Sequence, residues 1–194
     1  MMTFASPARG DIMAGYIMDN ILSDEELDEA RDLAASLGFY TVFQMYNIFD
    51  LERSDIPKED NSGFTNTLMK YSKQGYSSGS YFLKYRKGSF TRLHHDHSTD
   101  LTIVTLLDDK DLVGGHSIVM AMYDARSRPA DQTCVRSEGE EDRPPYGHEI
   151  IPDILPVKVG ESLVYGPDLK HGVSKVYEGE RLVLVSWYNN IKVS

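Results

Sequence analysis

The sequence contains one group of residues whose side chains could hold a metal ion. His94 and Asp96 are separated by a single residue, and His171 follows far downstream. Two imidazoles and one carboxylate can occupy one face of an octahedral metal ion, which leaves three positions free for exchangeable ligands. Alternate residues of a strand point to the same face of a sheet. We therefore predict that His94 and Asp96 share a strand face and that His171 comes from a strand adjacent in space.

The elements expected to carry these residues are short strands. From Tyr81 onward, β-branched and aromatic runs alternate with turns, a texture typical of strands. Many short strands without intervening helices indicate a sandwich or barrel rather than a parallel α/β sheet. The predicted strands cover residues 81–86, 101–107, 117–122, 155–159, 162–165, 172–176 and 181–187. A long segment, 124–150, lacks periodicity and is expected to be a functional or disordered loop.

The first part of the chain is predicted to support this β core with helices. Ser23 and Glu26 form the pattern of a capping box ahead of a helix over residues 24–37, and Gly38 is the expected stop. A second short helix is expected at 66–71, a strand at 46–49, and polar loops at 54–63 and 72–80. We expect one domain over residues 1–194, with helical support in 1–79 and the β core in 80–194.

A longer pattern surrounds the three candidate ligands. Residues 85–96 read YRKGSFTRLHHD, and residues 160–188 read GESLVYGPDLKHGVSKVYEGERLVLVSWY. Together they resemble the prolyl 4-hydroxylase-like branch of the iron(II)- and 2-oxoglutarate-dependent dioxygenases, over roughly residues 80–190. The residues that carry the resemblance are Tyr85, Gly88, His94, Asp96, Gly114, Gly115, Gly160, Glu161, His171 and Arg181.

The resemblance implies a fold and a set of site residues. The fold would be a mainly β protein with flanking helices around a double-stranded β-helix (jelly-roll, cupin-like) core, in agreement with the strand-rich pattern. Fe(2+) would be bound by His94, Asp96 and His171, and Arg181 would hold the distal carboxylate of 2-oxoglutarate. A guanidinium suits that role because its rigid fork meets a carboxylate bidentately and stays charged when buried. Tyr85 would be a second donor to the same carboxylate.

The reaction implied is the hydroxylation of an unactivated C–H bond with O2, giving succinate and CO2 as co-products. The presence of Asp96 favours hydroxylation, because related halogenases lack this carboxylate. The expected substrate is a prolyl or other amino-acyl residue of a peptide, and the alternative is a free amino acid or another small metabolite. A different class, a non-catalytic metal-binding β-barrel module, also stays open, as does the involvement of L-ascorbate and the oligomeric state.

Several neighbouring residues have structural interpretations. His95 should point away from the metal ligands and is expected to be structural or on the surface. Trp187 is expected to pack in the core beside the pocket. Thr102 and Thr105 either line the cosubstrate pocket or fill a strand, for which β-branched residues are suited.

Composition excludes several other classes of function. The 194 residues carry a formal net charge of −10, which argues against a nucleic-acid partner because phosphate binding needs clustered Lys and Arg. Nucleic-acid demethylases of the same family usually have a second arginine where this chain has Trp187. No apolar run is long enough to span a membrane, and neither a signal peptide nor a disulfide framework is indicated, since Cys134 is the single cysteine. These features predict a cytoplasmic protein.

Overall fold

The computed structural model describes residues 12–42, 48–73, 76–124 and 148–189. In these ranges two helices, α1 (Asp24–Ser36) and α2 (Gly63–Ser72), come before most of the strands along the chain. The strands are β1 (Ile12–Ala14), β2 (Tyr16–Asp19), β3 (Tyr40–Val42), β4 (Ile48–Phe49), β5 (Leu51–Asp55), β6 (Tyr76–Tyr85), β7 (Phe90–His94), β8 (Leu101–Asp108), β9 (Val113–Gly114), β10 (Ser117–Asp124), β11 (His148–Leu155), β12 (Ser162–Tyr165), β13 (Lys170–Val173), β14 (Val176–Glu178) and β15 (Arg181–Asn189).

These strands form two main antiparallel sheets. One has seven strands in the order β2-β12-β8-β15-β6-β5-β3, and the other has the order β1-β10-β13-β7-β4 with β11 also paired to β10. The short pair β14 and β9 lies apart from both. Val119 of the second sheet packs against Leu163 and Tyr165 of the first, so the two sheets face each other. The architecture is a jelly roll with flanking helices, and it confirms the predicted fold class.

Each central strand of the seven-stranded sheet separates two environments, because successive side chains point to opposite faces. On β15, Leu184 and Tyr188 pack in the cluster that includes Leu27 and Phe64 of the helices. Val183 and Val185 pack instead in the cluster between the sheets. Arg181 and Trp187 have the same parity as these two valines, so the sequence alternation turns them toward the space between the sheets.

The helix α1 forms as predicted. Ser23 is its N-cap and shares a reciprocal capping box with Glu26, and the buried residues Leu27, Ala30 and Ala34 form its inner face. The helix ends at Ser36 with an extended Leu37 as its C-cap, directly before the expected stop at Gly38. No helix in the described parts of the chain is long and apolar enough to cross a membrane.

Two polar segments contain more strand residues than we predicted from the sequence. The predicted loops at 54–63 and 72–80 are wrong at their ends, because β5 runs to Asp55 and β6 starts at Tyr76. These polar residues are accommodated by pairing: the Ser80 hydroxyl donates to the Ser186 hydroxyl oxygen at 2.9 Å across β6 and β15. Helix α2 also starts earlier than residue 66, since Ser62 accepts a hydrogen bond from the backbone amide of Thr65 as its N-cap. Residues 46–47 of the predicted strand 46–49 lie outside the described residues, and 48–49 form β4.

The strands near the second histidine also differ from the prediction. The strand expected at 155–159 ends at Leu155, where β11 meets Pro156. The strand expected at 172–176 is divided into β13 and β14, because Ser174 leaves both sheets to exchange hydrogen bonds with His116. The ends of the expected loop 124–150 belong to the β10–β11 pair, and residues 125–147 lie outside the described residues.

Candidate metal and cosubstrate site

The two candidate histidines come from adjacent strands. His94 is the last residue of β7 and is directly opposite His171 of β13 in the register of the sheet. Their ring centroids are 4.4 Å apart. One ligand atom from each histidine and one from Asp96 all lie within 4.8 Å of one another. The structure therefore brings together the three residues that the sequence singled out.

Both imidazoles are oriented in the same way. The Nδ1 atom of His94 lies 2.9 Å from the carbonyl oxygen of Arg92, and that of His171 lies 3.0 Å from the carbonyl oxygen of Leu169. A carbonyl oxygen only accepts, so each Nδ1 carries a proton and each Nε2 is the ring nitrogen that faces Asp96. Such a bond to the distal nitrogen is the usual way in which a protein fixes the tautomer and orientation of a metal-binding histidine.

Asp96 reaches the histidines from outside the sheet. Strand β7 ends at His94, so the expectation that His94 and Asp96 share one strand face is wrong, and the chain turns to bring the carboxylate inward. Its Oδ1 lies 3.5 Å from Nε2 of His94, and its Oδ2 lies 3.6 Å from Nε2 of His171. Burial opposes ionisation of Asp96, but the hydrogen bonds from His94 and from the Thr102 hydroxyl outweigh it and lower its pKa. The carboxylate is therefore ionised at neutral pH.

This arrangement fits a divalent transition metal. Two imidazole nitrogens and one carboxylate, which approach a common point from two strands and a turn, are the donor set of a facial triad. Burial lowers the pKa of His171, which keeps this ring unprotonated and able to coordinate at neutral pH. The cluster has an open side, because all three side chains line a cavity of about 720 Å³.

Arg181 also lines this cavity. Its side chain is 3% exposed, and its Nη1 and Nη2 atoms donate to the Gly115 carbonyl oxygen and to the Ser117 hydroxyl, both at 2.8 Å. No carboxylate pairs with it among the described residues. Burial lowers the pKa of Arg181 from its usual value, yet a guanidinium remains cationic at neutral pH. The cavity thus contains a buried positive charge without an acidic partner from the described parts of the chain.

Tyr85 stands directly opposite Arg181 in the pairing of β6 with β15. The guanidinium carbon lies 5.5 Å from the centre of the Tyr85 ring, and the phenol oxygen lies 3.1 Å from the hydroxyl of Thr91. Burial raises the pKa of Tyr85, so the phenol is neutral and able to donate. Arg181, Tyr85 and Ser117 therefore form a polar group of one cation and two hydroxyls in the same cavity as the metal cluster.

Tyr165 forms a wall beside the three ligands. Its ring centroid is 4.4 Å from that of His171, and its side chain is buried and lines the cavity. Burial and the charge of Asp96 raise the pKa of this phenol well above its usual value. Leu163 on the same strand also lines the cavity, so the alternation of side chains along β12 is the sequence signal that indicates this position for Tyr165.

A second set of residues lines the same cavity from strands β3, β5, β6 and β15. The Arg53 guanidinium lies 3.8 Å above the Tyr81 ring, and the Tyr81 ring meets Trp187 edge to face at 5.2 Å. Arg53 donates twice to Asp55, at 2.8 and 2.5 Å, and the exposed Tyr40 hydroxyl donates to the same carboxylate at 2.7 Å. We call Tyr40, Arg53, Tyr81 and Trp187 the aromatic rim. The indole Nε1 of Trp187 is buried without a hydrogen-bond partner in the described part of the chain.

His95 is placed differently from the expectation. The rings of His95 and His97 stack with centroids 5.2 Å apart, and both line the cavity. Neither belongs to the cluster of candidate ligands.

Thr102 and Thr105 do not line the cavity: Thr102 donates to Oδ2 of Asp96 at 2.9 Å, and the hydroxyl of Thr105 pairs with that of Ser162 at 2.7 Å. The hydrogen bond from Thr102 to Asp96 was not predicted, because no short-range sequence pattern shows which side chain faces Asp96.

Comparison with known proteins places this geometry in a structural context. No protein-family model and no curated protein matches the sequence. Among solved structures, an oxidoreductase of the 2OG-Fe(II) oxygenase family from Burkholderia pseudomallei is 17% identical, with a TM-score of 0.60 over 90% of this chain and 85% of that one. A prolyl-4-hydroxylase from Pseudomonas putida is 14% identical, with a TM-score of 0.61 over 92% and 94%.

A third similar structure contains ligands. HygX from Streptomyces hygroscopicus, with nickel, 2-oxoglutarate and hygromycin B bound, is 14% identical, with a TM-score of 0.61 over 92% of this chain and 84% of HygX. At such identities the likeness establishes the architecture. The resemblance inferred from the motifs is confirmed at that level: the chain has the jelly-roll fold of the 2-oxoglutarate- and iron(II)-dependent oxygenases.

Proposed function

We propose that this chain is an Fe(II)/2-oxoglutarate-dependent dioxygenase that hydroxylates an unactivated C–H bond. The observation that carries the proposal is the pairing of two features in one cavity. A His94–Asp96–His171 cluster can bind a metal, and a buried guanidinium without an acidic partner from the described residues can bind an anion. A buried cation is costly unless it is paired, so the anion would complete the site.

Iron(II) at this cluster would supply the activation of O2 that couples conversion of 2-oxoglutarate into succinate and CO2 to hydroxylation. The residues of the chain provide the binding and the orientation. His94 and His171 present their Nε2 atoms on rings that are oriented by backbone carbonyls, and Asp96 presents an ionised carboxylate. Arg181 would receive the distal carboxylate of 2-oxoglutarate through charge-assisted hydrogen bonds, with Tyr85 and Ser117 as further hydroxyl donors. Apolar side chains in the same cavity, such as Val183 and Val185, limit access of water.

We propose that the aromatic rim binds the substrate. Its residues line the cavity with the metal cluster, and they offer flat aromatic surfaces. Such aromatic faces suit a substrate group with an apolar ring or chain. The volume of about 720 Å³ lies within the range of about 300–1,000 Å³ usual for small-molecule sites, so cosubstrate and a substrate group can be enclosed together.

A prolyl or other amino-acyl residue of a peptide is the substrate that we propose. The prolyl-4-hydroxylase from Pseudomonas putida shares the fold, and so does a prolyl hydroxylase from Trichoplax adhaerens in complex with a hypoxia inducible factor peptide fragment. A free amino acid or another small metabolite is the second candidate, and it is supported by HygX, whose structure contains hygromycin B. A metal-binding module without catalysis is less well supported, since such a module has no need of a buried anion anchor.

The test has two parts. Purified protein with iron(II), 2-oxoglutarate and O2, with and without L-ascorbate, should form succinate slowly even without substrate. Proline-containing peptides, free amino acids and small metabolites are then screened by mass spectrometry for the gain of one oxygen atom. Asp96→Ala should abolish succinate formation, because the metal loses its only carboxylate ligand.

The outcomes separate the alternatives. Oxygen gain only in peptides supports the amino-acyl substrate, and oxygen gain only in free compounds supports the second candidate. Metal binding without any succinate formation would favour the non-catalytic module. If the protein neither binds metal nor forms succinate, the proposed function is refuted.

A further inference from the structure

Asp96 is the member of the metal cluster with the least support from regular structure. His94 and His171 lie in paired strands, whereas Asp96 lies between β7 and β8 with no place in either sheet. Near it, the backbone amide of Thr99 makes a long bond of 3.4 Å to the carbonyl oxygen of Asp96. A carboxylate on such a turn needs another contact to fix its orientation, since ligands must be held within about 0.5 Å of the productive geometry.

Thr102 supplies that contact from the sheet. Its hydroxyl donates to Oδ2 of Asp96 at 2.9 Å, and the side chain is fully buried. Strand β8 lies between β12 and β15, and Thr102 is paired with Tyr165 on one side and with Trp187 on the other. The donor thus lies on a strand of the seven-stranded sheet that is paired on both sides.

The contact also makes the two carboxylate oxygens unequal. Oδ2 accepts the hydrogen bond from the Thr102 hydroxyl, and Oδ1 is the oxygen that lies 3.5 Å from Nε2 of His94. A carboxylate held by one oxygen presents the other in a fixed direction. We propose that Thr102 is a positioning residue, which holds Oδ2 of Asp96 so that Oδ1 faces a divalent metal ion beside His94 and His171. The inference rests on the metal site of the proposed function.

The expected effect is on metal affinity. Outer contacts of metal ligands typically change affinity by about 10–100-fold when they are removed. Thr102→Val keeps the shape of the side chain and removes the hydroxyl, so we expect metal affinity to fall by about 10-fold or more. Thr102→Ser keeps the hydroxyl and removes a methyl group, so it should retain most of the affinity.

Thr105 provides a matched control on the same strand. It is as fully buried as Thr102, and its hydroxyl also makes one side-chain hydrogen bond, to Ser162. It has the opposite parity and faces away from the metal cluster. Thr105→Val should therefore cost similar folding stability and leave metal affinity unchanged, which separates positioning of Asp96 from a general loss of stability.

The experiment measures the dissociation constant of nickel(II) by calorimetry without 2-oxoglutarate, together with urea denaturation of the metal-free proteins. The expected order of affinity is wild type, Thr105→Val and Thr102→Ser close together, with Thr102→Val clearly weaker. Thr102→Ala serves as a second hydroxyl-free variant if the valine is not accommodated. Equal affinity in wild type and either hydroxyl-free variant, or a loss in Thr102→Ser as large as in Thr102→Val, would overturn the inference. Absence of nickel binding by the wild type would refute the proposed metal site itself.

Discussion

Replacing Arg181 by methionine tests whether this residue binds a ligand or stabilises the fold. In the absence of a ligand, the guanidinium is a buried cation that donates to Gly115 and Ser117. Two hydrogen bonds from a charged group contribute about 1.5–3 kcal/mol each, and the desolvation of a buried ion costs several kcal/mol. These terms nearly cancel. We expect the free energy of unfolding of ligand-free Arg181→Met to lie within about 2 kcal/mol of the wild-type value.

The ligand-bound state should differ much more. At a concentration 100 times its dissociation constant, a ligand stabilises the native state by about 2.7 kcal/mol. For a domain of this size that corresponds to a rise of roughly 5–10 °C in Tm. Loss of a bidentate charge-assisted pair weakens binding by at least about 100-fold, so the same 2-oxoglutarate concentration should stabilise Arg181→Met by less than about 0.5 kcal/mol.

The assay is thermal and urea denaturation with nickel(II), with and without 2-oxoglutarate, because nickel allows binding without turnover. Arg53→Met is the matched control, since Arg53 lines the same cavity but is paired with Asp55. It should retain the full 2-oxoglutarate shift. A ligand-free Arg181→Met protein destabilised by more than about 4 kcal/mol would show that the guanidinium is chiefly a structural anchor. An undiminished 2-oxoglutarate shift in Arg181→Met would remove Arg181 from cosubstrate binding.

Three further changes test other parts of the site. Tyr85→Phe removes one neutral donor near Arg181, so the half-saturating 2-oxoglutarate concentration in the succinate assay should rise about 5-fold, which corresponds to about 1 kcal/mol; an unchanged value would exclude a role for the phenol. Gly172→Ala should weaken nickel binding, because its Cβ would lie 2.7 Å from the Thr91 carbonyl oxygen and push β13 away from β7. Gly38→Ala is the control: its Cβ would meet no atom within 4 Å, so nickel binding should stay unchanged. Ser23→Ala removes the N-cap of α1 and should lower the free energy of unfolding, measured by urea denaturation, by about 1 kcal/mol. The stabilisation by 2-oxoglutarate should stay intact, and its loss would show that α1 influences the cavity.

The parts of the fold that the sequence predicted well depend on local physics. Helix α1 follows from its capping box and apolar face, which are contained within a few consecutive residues. The strand around Arg181 follows from a continuous run of β-branched and apolar residues. In both cases the signal and the structure occupy the same stretch of chain.

The parts that were missed depend on partners far away in sequence. The first half of β6 is rich in Ser and Gly, and it forms a strand because β15 pairs with it along its length. The division of the strand predicted at 172–176 depends on a bond between Ser174 and His116. The contact from Thr102 to Asp96 joins residues six positions apart, but it requires a turn whose shape no local pattern specified. Register and turn geometry are therefore the missing information.

Strand β15 carries both the proposed cosubstrate anchor, Arg181, and one residue of the proposed substrate site, Trp187. Arg181 and Trp187 lie on the same face of this strand, with Val183 and Val185 between them. Six residues of strand span about 20 Å, so the cation and the indole are held far apart by one rigid element. Groups separated by more than about 10 Å usually contribute independently. If Arg181 binds the cosubstrate and the aromatic rim binds the substrate, as we propose, the two selectivities can therefore change separately, while the metal cluster is held by other strands and by the turn at Asp96.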